Sequence, residues 1–135
     1  MNESVVRNIV REVLKEYISR RELGNIEDYA DDLFSNVNVD VEFAEPHFLD
    51  RLNDPRNEID IETDELKDLF RKTYIKYGQK IPNFRVGTEA VINDVNSNIN
   101  IPFLLKKNKN NQFELIGKTI MRKKDFQTSN MKLKV

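Results

Sequence analysis

His47 is the only histidine among 135 residues, and it stands in the run Pro46-His47-Phe48-Leu49-Asp50-Arg51-Leu52. On a helix, His47 and Arg51 are four residues apart and share a face, while Phe48, Leu49 and Leu52 turn towards a core. An imidazole exchanges protons near neutral pH, and a guanidinium grips a phosphate through two parallel hydrogen bonds. Together they could move a proton and stabilise a phosphorane-like transition state. The plainer alternative is a surface or capping histidine beside an exposed arginine. A second group of cations lies in Lys118-Thr119-Ile120-Met121-Arg122-Lys123-Lys124. On an unbroken strand, Lys118, Arg122 and Lys124 face one way, and Thr119, Met121 and Lys123 the other. If the sheet curves around the helix bearing His47, one of those faces offers cations and a hydroxyl to the same phosphate. Lys106, Lys107 and Lys109 extend the positive surface, and Arg85 follows Phe84, the one good candidate for an exposed stacking ring. The alternative is a solvated strand kept soluble by its lysines.

Other chemistries find little support. The chain has no cysteine, which excludes disulfides, thiolate metal sites and a cysteine nucleophile. Carboxylates abound early, at Asp28, Asp31, Asp32, Glu58, Asp60, Glu62, Asp64 and Glu65, without the spacing of an EF-hand. They read as solvated faces and a helix start, so no metal site and no cofactor is expected. There is no Walker loop, no Rossmann glycine fingerprint and no nucleophile elbow. Four glycines in total leave little material for a nucleotide-cradling loop.

The net charge of −1 hides an uneven distribution. Residues 1–68 carry 8 basic and 19 acidic side chains, a balance of −11; residues 69–135 carry 14 and 4, a balance of +10. Either the basic half meets an anionic partner, or the two halves attract one another on folding. The length suits one domain over residues 1–135, able to bury about two thirds of its unfolded surface without a metal or disulfide. The first residues lack the apolar core of a signal peptide, and no stretch has the roughly 18 apolar residues of a membrane span. A cytoplasmic location with no membrane partner follows as the expectation.

The elements that must position these residues follow from periodicity. Val5, Val6, Ile9, Val10, Val13, Leu14, Tyr17 and Ile18 predict an amphipathic helix over 3–18, with Gly24 turning the chain. That segment, extended to residues 1–22, could dock to a partner protein or to a second copy. A second helix is predicted over 26–34, capped by Asn25. Val37, Val39, Val41 and Phe43 alternate with polar residues as a half-buried strand. Pro46 opens a short helix to about Asn53, and Asp54-Pro55-Arg56-Asn57 is a turn. Thr63 caps a helix over 64–77, with Leu66, Leu69, Phe70, Tyr74 and Tyr77 buried and Gly78 closing it. Three strands are predicted at 88–94, 99–105 and 112–122, and Pro102 puts the middle one at an edge or at a point needing no ladder bond. From Lys123 the chain reads as a polar tail that Phe126 and Leu133 could dock. The fold class is α+β: N-terminal helices, one strand, two helices and a three-strand antiparallel meander, forming a four-stranded sheet whose core spans 37–124.

This order of a strand, a His-Phe-x-x-Arg helix, a longer helix and a meander ending in Lys-Thr-Ile-Met-Arg-Lys resembles the small metal-independent ribonucleases. That superfamily takes in barnase, the colicin-type tRNases, RelE-type toxins and phage-carried nuclease domains. The segments from His47 to Tyr77 and from Glu89 to Phe126 also look similar to small uncharacterised proteins of tailed phages of marine bacteria, which implies the cytoplasm of a bacterial host cell. The ribonuclease resemblance implies an RNA partner and attack of a 2′-hydroxyl on its own phosphate, leaving a 2′,3′-cyclic end. His47 would then be the general base or acid. Arg51 would grip the phosphate with help from Arg122 or Lys118, and Thr119 would bond a phosphate oxygen or orient His47. Lys106, Lys107, Lys118, Lys123, Lys124 and Arg85 would hold the nucleic acid. With one histidine, the opposite proton transfer needs another group or water. The competing expectations are a non-catalytic phage interaction or assembly protein and a plain nucleic-acid-binding module.

Overall fold

The structure is a computed structural model and describes residues 18–135. The predicted helix over 3–18 therefore lies almost wholly outside the described residues, as does most of the proposed docking element. The described chain opens with α1 (Arg20–Ser35). Its start is a reciprocal capping box: Glu22 N donates to Ser19 Oγ at 3.1 Å, and Ser19 N donates to Glu22 Oε1 at 3.1 Å. The helix thus begins well before the expected Asn25 cap and runs through Gly24 without a turn. Leu23, Ile26, Ala30 and Phe34 form its buried stripe. Next come β1 (Val39–Phe43) and α2 (His47–Leu52), then a 3₁₀ turn over Pro55–Asn57 whose N-cap Asp54 accepts from Arg56 N.

The longest helix after α1 is α3 (Thr63–Tyr77). It starts one residue earlier than expected, with Glu62 rather than Thr63 at the cap position; Glu62 N donates to Glu65 Oε1 at 3.1 Å. Gly78 closes α3 with right-handed angles (φ −53°) instead of a left-handed cap, and a Cβ there would strike the Tyr74 ring at 2.8 Å. Its small size, not its conformational freedom, is what this position uses.

The strands β2 (Glu89–Asn93), β3 (Ile99–Lys107) and β4 (Phe113–Gly117) form the expected antiparallel meander. The sheet is larger and mixed, however: β5 (Met121–Arg122) and β6 (Met131–Lys134) bring it to six strands, ordered β1-β4-β3-β2-β6 with β5 beside β3. β1 runs parallel to β4, and β6 parallel to β2. The four-stranded antiparallel expectation is corrected on both counts. The segment expected to be a polar tail supplies β6, because Leu133 alternates inward and is 2% exposed. Phe126 is only half-buried.

The predicted strand over 112–122 is interrupted. Phe103 pairs with Gly117, yet Asn100 pairs with Met121 and Ile99 with Arg122, so the second strand carries one extra residue between the two stretches. This is a bulge, and it sits opposite Pro102. Pro102 O accepts from Lys118 N, so the missing amide of Pro102 points at the bulge, where no ladder bond is required. β3 is therefore central despite its proline.

One face of the sheet presents Val39, Val41, Phe43, Leu115, Phe103, Ile101 and Ile92 to the stripes of α1 and α3 in a single core. Phe43 stacks on Phe48 with centroids 4.4 Å apart and meets Phe70 at 5.6 Å, which seats α2 at the end of β1. Gly117 is tight against that stack: a Cβ there would lie 3.1 Å from the Phe43 ring and 3.2 Å from the Phe48 ring.

Candidate functional site

A cleft of about 710 Å³ opens where α2 and the following turn face the bulged segment. One wall holds His47, Arg51, Asp54, Arg56, Asn57 and Glu58; the other is the run Thr119–Lys124. The elements explain the placement. β1 ends at Phe43, whose ring stacks on Phe48, so His47 emerges on the outer side of α2 and is exposed. The 3₁₀ turn then carries Arg56 and Asn57 back across the same opening. On the far wall the bulge breaks the alternation, so Ile120 is buried at 1% while Thr119 turns into the cleft.

Asn57 ties the two walls together. It is 6% exposed, and its Nδ2 donates to Arg51 O at 3.0 Å and Leu52 O at 3.2 Å. Its Oδ1 accepts from Arg122 N at 3.0 Å. All of its side-chain polar atoms thus serve one junction. A second buried amide, Asn100, stands behind the far wall and donates to Asn98 O, Met121 O and Lys123 O.

The sequence-predicted residues divide. His47, Arg51, Thr119, Arg122, Lys123 and Lys124 line the cleft together. Arg122 borders it too, but its guanidinium is already committed. Nε donates to Ile59 O, Nη1 to Glu65 Oε2 and Ser97 O, and Nη2 to Asp60 O and Glu65 Oε1 at 2.7 Å. Five donors meet five acceptors, and none remains for a phosphate. The expected catalytic grip by Arg122 is corrected to a structural one, and the bulge is the cause: a one-residue slip turns the side chain to the helix side of the sheet.

Lys118 is outside the cleft lining and pairs with Glu89 at 2.8 Å, so it lends Arg51 no help there. Lys106 and Lys107 lie at the opposite end of β3, about 24 and 27 Å from Ile99 at the usual strand rise. Arg85 belongs to that far end too, since the loop after it bonds Leu105 through Gly87 N and Thr88 O. Lys106, Lys107 and Arg85 are therefore remote from the cleft and add nothing to its lining. Phe84 packs against the core instead of standing free, and among the described residues no Phe or Tyr ring lines the cleft.

Sequence reasoning misses Asp54, Arg56, Asn57 and Glu58. Three of them read as a turn and Glu58 as a solvated carboxylate, and only the tertiary fold brings them opposite Thr119–Lys124. Glu58 does carry a local mark of a special position: φ is 62° and ψ −57°, a conformation costing a non-glycine residue about 1–3 kcal/mol. Among the described residues, no group of three or more His, Cys, Asp or Glu side chains is arranged to hold a metal ion, and no helix is long and apolar enough to cross a membrane. Comparison with protein-family models, with curated proteins and with solved structures finds no match.

Proposed function

We propose that this protein binds RNA through its phosphates and cleaves it without a metal, as the resemblance to small ribonucleases implies. The observation that carries the reading is the cleft itself: a lone imidazole, a carboxylate on a left-handed backbone position and several cations border one opening of nucleotide size. In this reading the 2′-hydroxyl attacks the adjacent phosphorus while the bond from phosphorus to the 5′-oxygen breaks. The products are a 2′,3′-cyclic phosphate and a free 5′-hydroxyl. His47 and Glu58 divide the two proton transfers, one taking the proton of the 2′-hydroxyl and the other supplying the leaving oxygen. Arg51, Arg56, Lys123 and Lys124 balance the charge that builds on the phosphoryl oxygens, and the Thr119 hydroxyl bonds one of them. Arg122 supports the far wall and takes no part in the chemistry.

The test is incubation with total RNA in the presence of EDTA, followed by analysis of the new ends. Cleavage with cyclic phosphate ends is expected, and His47→Ala should slow it by about 10²- to 10⁴-fold. No cleavage between pH 5 and 8, or equal cleavage by the variant, removes the enzymatic reading. Salt-sensitive binding without cleavage would leave a plain nucleic-acid-binding module.

A further inference from the structure

Two of the cleft's cations, Arg51 and Arg56, already have an anion between them: the carboxylate of Asp54. Its Oδ2 accepts from Arg56 Nη2 at 2.7 Å and Nε at 3.1 Å, and from Arg51 Nη1 at 3.5 Å. Its Oδ1 accepts from Arg56 N at 2.9 Å, which holds the carboxylate in register with the turn. The Asp54 side chain is 20% exposed, against 40% for Arg51 and 72% for Arg56, so the anion is the recessed member and the cations are the reachable ones. A planar carboxylate gripped through two guanidinium N–H groups uses the same fork that grips a phosphate.

We infer that Asp54 is an internal stand-in for the ligand's phosphate: it occupies the arginine fork of the cleft and must be displaced, or share the fork, when a phosphate arrives. The inference rests on the reading of the cleft as a phosphate site and assigns that site its regulation. Its physical content is competition. Coming from the same turn, Asp54 has a high effective concentration at Arg56, so a weakly charged ligand gains little by replacing it. A ligand presenting several phosphates recovers the loss through Lys123 and Lys124 on the other wall. The resident carboxylate therefore biases the cleft against isolated anions and towards polyanions.

Asp54→Asn separates charge from shape, because an amide oxygen can still accept from Arg56 N and keep the turn capped. Fluorescence anisotropy with a labelled single-stranded RNA and displacement by inorganic phosphate provide the readouts. Asp54→Asn should tighten RNA binding about three- to fivefold, the scale on which exposed ion pairs matter. It should improve inorganic phosphate as a competitor by at least as much. Asp50→Asn, on the exposed side of α2, changes net charge equally and controls for a general effect. Thermal melts establish that the variants are folded, and Asp54→Ala gives a second route if the asparagine variant is not. A gain in Asp54→Asn that Asp50→Asn lacks, and that disappears on adding Arg51→Ala and Arg56→Ala, supports the inference. If wild type binds RNA and Asp54→Asn binds equally or more weakly, the competition is overturned while the cleft remains a phosphate site. If neither protein binds RNA or phosphate, both readings fall.

Discussion

A guanidinium with five donors is the most useful phosphate ligand a chain can carry, and also the most useful internal brace. Arg122 shows that residue type alone does not choose between these uses. Its neighbours Lys123 and Lys124 are exposed, whereas its own side chain is 12% exposed and gathers Glu65 with the carbonyls of Ile59, Asp60 and Ser97. Removing it strands a half-buried carboxylate and three acceptors. Arg122→Met should cost about 2–4 kcal/mol in urea unfolding. Arg122→Lys should recover only part of this, since an ammonium cannot span the same fork. An unchanged urea midpoint for Arg122→Met would show that the brace carries no weight. At this scale the sequence is legible for His47 and Arg51, whose helical spacing and apolar neighbours put them on an open face. It is not legible for Glu58 or Asn57, which the fold carries to a segment more than 60 positions away, as the bond between Asn57 Oδ1 and Arg122 N illustrates.

Elements with complete local signals are readable: α3 has acids in its first turn, an apolar stripe and a glycine at its end, and it forms where expected. α1 starts earlier than predicted because the Ser19–Glu22 box initiates it. Gly24, which reads as a stop, costs a helix only about 1 kcal/mol relative to alanine. The bulge is hidden because a strand's alternation looks the same on either side of one inserted residue. α1 also does something no periodicity shows. Asp31 Oδ1 accepts from Val41 N at 2.9 Å and Glu27 Oε2 from Phe43 N at 2.8 Å, so a helical i,i+4 pair answers alternate amides of the outer strand. This closes the β1 edge to strand addition. Burial pushes the Glu27 carboxyl above its ordinary range; the bond from Phe43 N opposes the shift, and Glu42, Glu45 and Asp28 add to it. Because the folded-state value is the higher one, ionised Glu27 opposes folding at neutral pH. Its protonation adds stability as pH falls through that raised value towards the ordinary carboxylate range. Glu27→Gln should therefore raise the urea midpoint at pH 7, with its advantage over wild type shrinking on acidification. A constant difference across that window would contradict the assignment.

For the whole molecule, the opposed charges of the two halves do not meet in one broad seam. Among the described residues, the ion pair between Arg122 and Glu65 joins basic and acidic halves across the fold, Arg71 and Lys72 reach Asp68 only within α3, and Lys118 and Lys72 pair with Glu89 and Asp94 of their own half. Two groups of exposed cations lie apart, Lys123 and Lys124 at the cleft and Arg85, Lys106 and Lys107 at the far end of β3. Each predicts a different dependence on ligand length. Lys123→Ala with Lys124→Ala should weaken binding of every single-stranded RNA and flatten its salt dependence, by a slope of roughly 0.7 for each phosphate no longer neutralised. Lys106→Ala with Lys107→Ala should leave an oligonucleotide too short to span the sheet unaffected and weaken only longer ones. Equal effects of the two pairs on the short ligand would refute the division. Neither composition nor periodicity reveals this separation, because it depends on which end of a nine-residue strand each lysine occupies.

Asn57 sets how this opening behaves. One amide group is shared by the last turn of α2 and the first residues past the bulge, so the two sides are riveted at a common point. Widening the gap would break the bond from Arg122 N to Asn57 Oδ1, the one of the three that crosses between the walls. The walls are accordingly pinned at one buried amide, and the room for rearrangement lies with exposed side chains at the rim, such as Arg56.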